Sequence, residues 1–177
     1  MSAQPAIVTE STETLWFLGT LARMKLDGAQ TGGRFGLWEG VLPRGAAPPL
    51  HSHPQDETLY VLEGELTAWL LECQPDEEWA LSRGRRCGVS AAMFAPGGTP
   101  HTFRVESDTA RVLVLSTPAG IEDMVRGLAE PARWPWLQPP PDGPRVAPER
   151  VAEVERATGM VRHGPPPPRA PSWPSPA

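Results

Sequence analysis

Three of the four histidines in this chain fall in two short segments at fixed spacing, and that spacing limits what the chain can fold into. The first segment runs Gly45-Ala-Ala-Pro-Pro-Leu-His51-Ser-His53-Pro-Gln-Asp-Glu57 and closes at Gly64. The second is Pro96-Gly-Gly98-Thr-Pro-His101. Alternate residues of a strand share a face, so His51 and His53 can aim at one point and Glu57, also odd, can aim there too. A histidine arriving from a partner strand, His101, would complete three imidazoles and one carboxylate around a metal. Such a donor set suits a divalent first-row ion: iron, nickel, cobalt or manganese, with zinc a further option. A donor set split in this way requires strands distant in sequence to lie side by side.

The surrounding pattern supplies those strands. Thr14 to Leu26, Phe35 to Leu42, Glu57 to Val61, Leu66 to Cys73, Ala91 to Ala95, His101 to Val105 and Ala110 to Thr117 read as short strands. Asp27-Gly, Thr31-Gly-Gly, Glu63-Gly64 and the polar run at Pro75 read as turns. Many short strands with closely spaced turns give an all-β class, a sandwich or barrel. The chain then changes character. Ile121, Met124, Val125 and Leu128 recur at helical spacing. Pro148-Glu149 opens a second helix with Val151 and Val154 on its apolar side and Gly159 as its cap. Fourteen of the 23 prolines lie from Pro131 onward. The expected organisation is a barrel over 1–118, with motifs at 45–64 and 96–105, a helical extension over 119–160 packed on it, and a Pro-rich tail over 161–177 in which His163 is solvated.

The two motifs resemble those of the cupin superfamily. The first cupin motif reads Gly, five residues, His-x-His, three or four residues, Glu, six residues, Gly, and Gly45, His51, His53, Glu57 and Gly64 match it throughout. The second matches at Pro96, Gly98 and His101. It departs at Ser90, where the family has a glycine, and at Val105, where it has an asparagine. The resemblance implies a cupin jelly-roll barrel with short C-terminal helices, a metal held by His51, His53, Glu57 and His101, and pairing into a homodimer through barrel-edge strands. The run from His51 to Gly64 and Pro118-Ala-Gly-Ile-Glu-Asp-Met124 are similar to single-domain bacterial cupins described as quercetin dioxygenase-like. This implies a metal-dependent dioxygenase acting on a flavonol or other enolisable aromatic compound, with dioxygen as co-substrate. Glu57 would then take a proton from a substrate hydroxyl, provided its pKa is raised toward neutrality. A non-oxidative cyclase or isomerase of polyketide-like compounds and a non-catalytic small-molecule-binding cupin are the alternatives. By strand parity Leu59, Val61 and Phe103 continue the inward face, and Trp38 and Phe94 are further candidates for the substrate pocket.

Composition excludes several classes. A net charge of -5 argues against binding a nucleic-acid backbone, which wants a basic stripe. No stretch approaches the roughly 20 apolar residues of a membrane helix. The N-terminal residues show no basic-then-apolar run, so a cytoplasmic location is the expectation. Cys73 and Cys87 are too few for a disulfide framework and are read as free thiols that could be neighbours.

Overall fold

Period-two burial along the strands builds two facing antiparallel sheets in the computed structural model, which describes residues 3, 5–10, 13–73, 79–132 and 146–168. The strands are β1 (Glu13–Phe17), β2 (Thr20–Leu26), β3 (Gly36–Pro43), β4 (Leu50–Ser52), β5 (Asp56–Glu63), β6 (Leu66–Cys73), β7 (Trp79–Leu81), β8 (Arg85–Cys87), β9 (Ala92–Ala95), β10 (His101–Val105), β11 (Thr109–Thr117), β12 (Ala129–Pro131) and β13 (Val161–Gly164). The helices are α1 (Gly28–Thr31), α2 (Ile121–Leu128) and α3 (Pro148–Thr158). One sheet has the order β12-β1-β2-β3-β11-β5-β9. The other has the order β13-β4-β10-β6-β7, with β8 also pairing β6. Neighbours in these orders come from distant parts of the chain, as a jelly roll requires. The chain is all-β with short helices, as expected.

Register aligns the inward side chains in rows across the first sheet. Leu15, Ala22, Gly40, Val112 and Val61 form one row, and Met24, Trp38, Val114, Leu59 and Met93 the next. The non-glycine members of these rows are buried and form the core together with Leu66, Ala68 and Val105 from the second sheet. At roughly 1.5–3 kcal/mol for each large aliphatic side chain fully removed from water, these rows hold the two sheets together. The next row carries Gly36, Ser116, Glu57 and Ala95, so the inward face turns polar at one end of the barrel. The outward face differs. Glu39 is buried there among cations, 3.0 Å from Arg23 and 3.7 Å from both Lys25 and Arg111.

Backbone conformation explains the motif glycines. Gly64 has φ 78°, and a Cβ there would fall 2.3 Å from the carbonyl oxygen of Thr109, so no side chain fits. Ser90 stands where the family pattern has a glycine and still adopts φ 71°, donating its N–H to the Val61 carbonyl at 2.9 Å. The turn is therefore made without its glycine, at the cost of left-handed strain. Val105 replaces the family asparagine as a core residue, exchanging backbone hydrogen bonds with Gly45 and Ala46.

Both expected helices form. Ile121, Met124, Val125 and Leu128 are buried, and α3 ends in a left-handed cap at Gly159. Val154 of α3 packs where a Cβ on Gly127 of α2 would fall 2.9 Å from its Cγ2. The turn expected at Asp27 is a one-turn helix, α1, with a reciprocal capping box between Asp27 and Gln30. Two readings need correction. Residues 161–164 are a strand and not tail, because their backbone pairs with β4. Cys73 and Cys87 are not neighbours: Cys87 pairs opposite Leu66 and Cys73 opposite Trp79, at the two ends of β6. The polar run at Pro75, most of the segment after Pro131 and the end of the Pro-rich tail lie outside the described residues.

Candidate metal centre

The polar end of the barrel gathers the four residues picked out by spacing. β4 presents His51, the turn after it His53, β5 presents Glu57, and β10 presents His101. His51 and His101 are directly paired across β4 and β10. The ring centroids lie 4.5 Å apart for His51–His101, 5.0 Å for His53–His101 and 5.7 Å for His51–His53. One ligand atom from each of the three histidines lies within 4.8 Å of the others. Glu57 closes the group, with Oε2 3.2 Å from His53 Nε2 and Oε1 3.8 Å from His101 Nε2. All four residues are buried.

A second set of contacts decides what the cluster can do. His51 Nδ1 donates to the Pro49 carbonyl at 2.8 Å, His53 Nδ1 to the Gln55 carbonyl at 3.0 Å, and His101 Nδ1 to the Thr99 carbonyl at 2.8 Å. A carbonyl only accepts, so each ring carries its proton on Nδ1 and turns the Nε2 lone pair inward. Backbone carbonyls that fix the ring and tautomer in this way are the usual outer support of a metal-ligating histidine. His101 Nε2 is buried and has no hydrogen-bond partner, an uncommon condition for a polar atom. Three converging lone pairs and a carboxylate fit a divalent transition metal, and the cluster could hold one.

The electrostatics agree. Burial pushes the His51 pKa down to about 4, helped by the nearby His101, so this ring is neutral and ready to ligate at neutral pH. Burial works against ionising Glu57, but its contact with His53 Nε2, which donates only when that ring carries a second proton, and the positive charge of neighbouring protonated imidazoles outweigh it and hold the carboxyl below its ordinary value. Glu57 is thus an anion, not the neutral-pKa base that the sequence-based mechanism needs.

The turn between Ala95 and His101 locks onto the histidine loop. Gly98, at φ 81°, donates its N–H to the His53 carbonyl at 2.8 Å, and Gly97 donates to Asp56 Oδ1 at 2.7 Å. A Cβ on Gly97 would lie 2.3 Å from the Pro54 carbonyl oxygen. The Pro-Gly-Gly turn is therefore the clamp that sets His53 relative to His101.

Of the five expected pocket residues, Leu59, Val61 and Trp38 are buried on the inward face, and Phe103 is half-buried against the core. Phe94 is a correction. It pairs opposite Thr58, off the parity of Glu57 and Leu59, and is 53% exposed on the outside of the sheet; Met93 and Ala95 point inward instead. One inward polar residue escaped the sequence reading: Ser116, whose Oγ, like Trp38 Nε1, is buried without a hydrogen-bond partner. Ser116 is the cross-strand neighbour of Glu57, a placement that depends on β5–β11 register and leaves no local signal.

Residues 38–118 match the family model described as a Cupin domain. Among solved structures, the chain is similar to KdgF from Halomonas sp. at 18% identity and a TM-score of 0.53, over 65% of this chain and 94% of that one. It is also similar to oxalate decarboxylase from Bacillus subtilis at 15% identity and a TM-score of 0.50, over 66% of this chain and 31% of that one. The likeness thus spans under a third of the decarboxylase, for which Mn(II) centres are described. At these identities the likeness concerns the fold. Among curated proteins no sequence matches significantly. No helix among the described residues is long and apolar enough to cross a membrane.

Proposed function

We propose that this chain is a cupin and a metal-dependent enzyme for an enolisable small molecule, with His51, His53, His101 and Glu57 as the metal ligands and a dioxygenase of flavonol-like compounds as its activity. The observation that carries the reading is the tautomer lock: three Nδ1 protons given to backbone carbonyls leave three Nε2 lone pairs converging beside an ionised carboxylate. A bound divalent ion would supply Lewis acidity and, if redox-active, a common site for dioxygen and an electron-rich substrate.

The chain's own residues set the rest of the chemistry. The apolar inward face of Leu59, Val61, Trp38 and Phe103 favours a flat, largely apolar ligand and excludes water from the reacting end. Glu57, held ionised, neutralises charge and positions a substrate hydroxyl by accepting its hydrogen bond. The similarity of the run from His51 to Gly64 and of Pro118 to Met124 to quercetin dioxygenase-like cupins supports the oxygenase reading over the non-oxidative one.

The test is oxygen uptake with quercetin by protein loaded separately with iron, nickel, cobalt and manganese. Oxygen consumption matched to loss of the flavonol absorbance, and abolished in His101→Ala, supports the proposal. Turnover of an enolisable substrate under strict anaerobiosis would overturn the dioxygenase reading in favour of the cyclase or isomerase. Metal uptake unchanged in His53→Ala would overturn the ligand assignment.

A further inference from the structure

β4 carries His51 and leads into His53, yet the barrel alone holds it weakly. It is three residues long, and its register with β10 consists of the single pair His51↔His101. Its other edge is covered by β13, which contributes three pairs: Ser52↔Val161, His51↔Arg162 and Leu50↔Gly164. Between the two ligating histidines, Ser52 Oγ meets His163 Nε2 at 2.8 Å. The cap of α3 reaches the following residue, since a Cβ on Gly159 would fall 2.9 Å from Pro54 Cγ. Farther along, Arg104 of β10 donates to the Pro167 carbonyl at 2.6 Å. The segment is anchored at its start by Val154, which is buried against α2. The C-terminal segment therefore grips the histidine strand from Leu50 to Pro54.

We propose that β13 is an integral part of the metal centre, with His163 as a positioning residue: by pairing with β4 it holds His51 and His53 in the orientation that makes their Nε2 atoms converge with that of His101. The inference rests on the metal reading above. A three-residue strand with one registered pair samples open states readily, and each opening swings the imidazoles away from the common point. Pairing on both edges restrains the strand before any ion arrives, so the site is preorganised by residues far along the chain that never touch the metal. Outer supports of this kind are worth about 10–100-fold in metal affinity.

The test uses the full-length chain and cobalt(II), whose visible absorption reports the ligand geometry directly. Arg162→Pro removes a backbone donor in the middle of β13, whereas Arg162→Ala loses only the side chain and its ion pair with Glu155. His163→Ala removes the contact to Ser52, and His163→Gln keeps a polar group there. The expected result is cobalt affinity weakened about tenfold or more in Arg162→Pro and His163→Ala, with an altered visible spectrum, and near-parent behaviour in Arg162→Ala and His163→Gln. If circular dichroism shows that Arg162→Pro does not fold, the His163 pair decides alone. Parent-like affinity and spectrum in the folded disrupting variants overturn the inference and leave the metal reading standing. A parent chain that takes up no cobalt overturns both.

Discussion

Acidifying the metal-free protein from pH 7 to pH 5 should destabilise it through His51 in particular. The ring is buried and its pKa is pushed from 6.5 to about 4. The unfolded chain therefore takes up a proton on this residue as the pH falls through 6.5, while the folded chain refuses it until about 4. Stability present above pH 6.5 is lost progressively on the way down and is gone below 4, where both states are protonated. The whole shift is worth about 3 kcal/mol, of which about 2 kcal/mol is lost by pH 5. That end point also separates His51 from Glu57 and Asp27. Their carboxyls are held below their ordinary values, so their contributions fade only in more acid solution. The assay is urea unfolding of chelator-treated protein at both pH values, for the parent and for His51→Gln. The parent should lose about 2 kcal/mol more than the variant. Parallel losses in the two proteins would refute the argument, because they would place the acid sensitivity elsewhere. Loading the parent with metal should steepen its acid loss further, since ligation competes with protons for the same lone pairs.

Three further outcomes follow from the same geometry. Replacing Ser90 by Gly should raise stability by up to about 1 kcal/mol in urea unfolding, because it relieves the left-handed backbone at φ 71°; a lowered stability would refute the strain. Gly97→Ala forces a Cβ to 2.3 Å from the Pro54 carbonyl and should cost about 2 kcal/mol and weaken metal uptake, whereas Gly88→Ala, with open space at its Cβ, should do neither. Glu122 is fully buried and accepts 2.9 Å hydrogen bonds from the N–H groups of Gly28 and Gly120, so Glu122→Gln, which can accept only one of them, should lower the unfolding free energy by about 1–3 kcal/mol; an unchanged midpoint would count against that latch.

Parity and spacing are local properties of the chain, and what depends on them was legible in the sequence. His51, His53, Glu57 and His101 converge because odd positions of short strands share a face, and α2 and α3 appear where apolar spacing and the Pro148 and Gly159 signals place them. Parity also accounts for Phe94: counted from its β5 partner Thr58 it faces outward, but that pairing is a register and is not written in β9 itself. The same limit applies to Ser116, which faces inward beside Glu57 only by virtue of the β5–β11 register. The strand at 161–164 was hidden for a different reason. Val161-Arg-His-Gly is mostly exposed and has no alternation to read, and it is a strand because β4 offers an unfilled edge.

The charge balance inside the barrel ties these threads together. Glu57 is ionised and almost fully buried, a state that is costly unless a cation or strong donors compensate it. The surrounding imidazoles answer it only as cations: each has committed its Nδ1 proton to a backbone carbonyl, so His53 Nε2 donates to Glu57 only from a doubly protonated ring, and His51 resists a second proton until about pH 4. With neutral rings, what is left is a buried anion facing lone pairs, and His101 Nε2 has no hydrogen-bond partner. A divalent cation resolves the conflict at every atom: it answers the carboxylate charge and receives the lone pairs. It also makes the depressed His51 pKa an advantage, since no proton must leave that ring at neutral pH for it to bind. The apolar rows behind the site explain why this arrangement survives folding. Leu59, Val61, Val112 and Val114 hold the sheets together, so the polar end can carry an uncompensated cluster while the rest of the barrel supplies the stability.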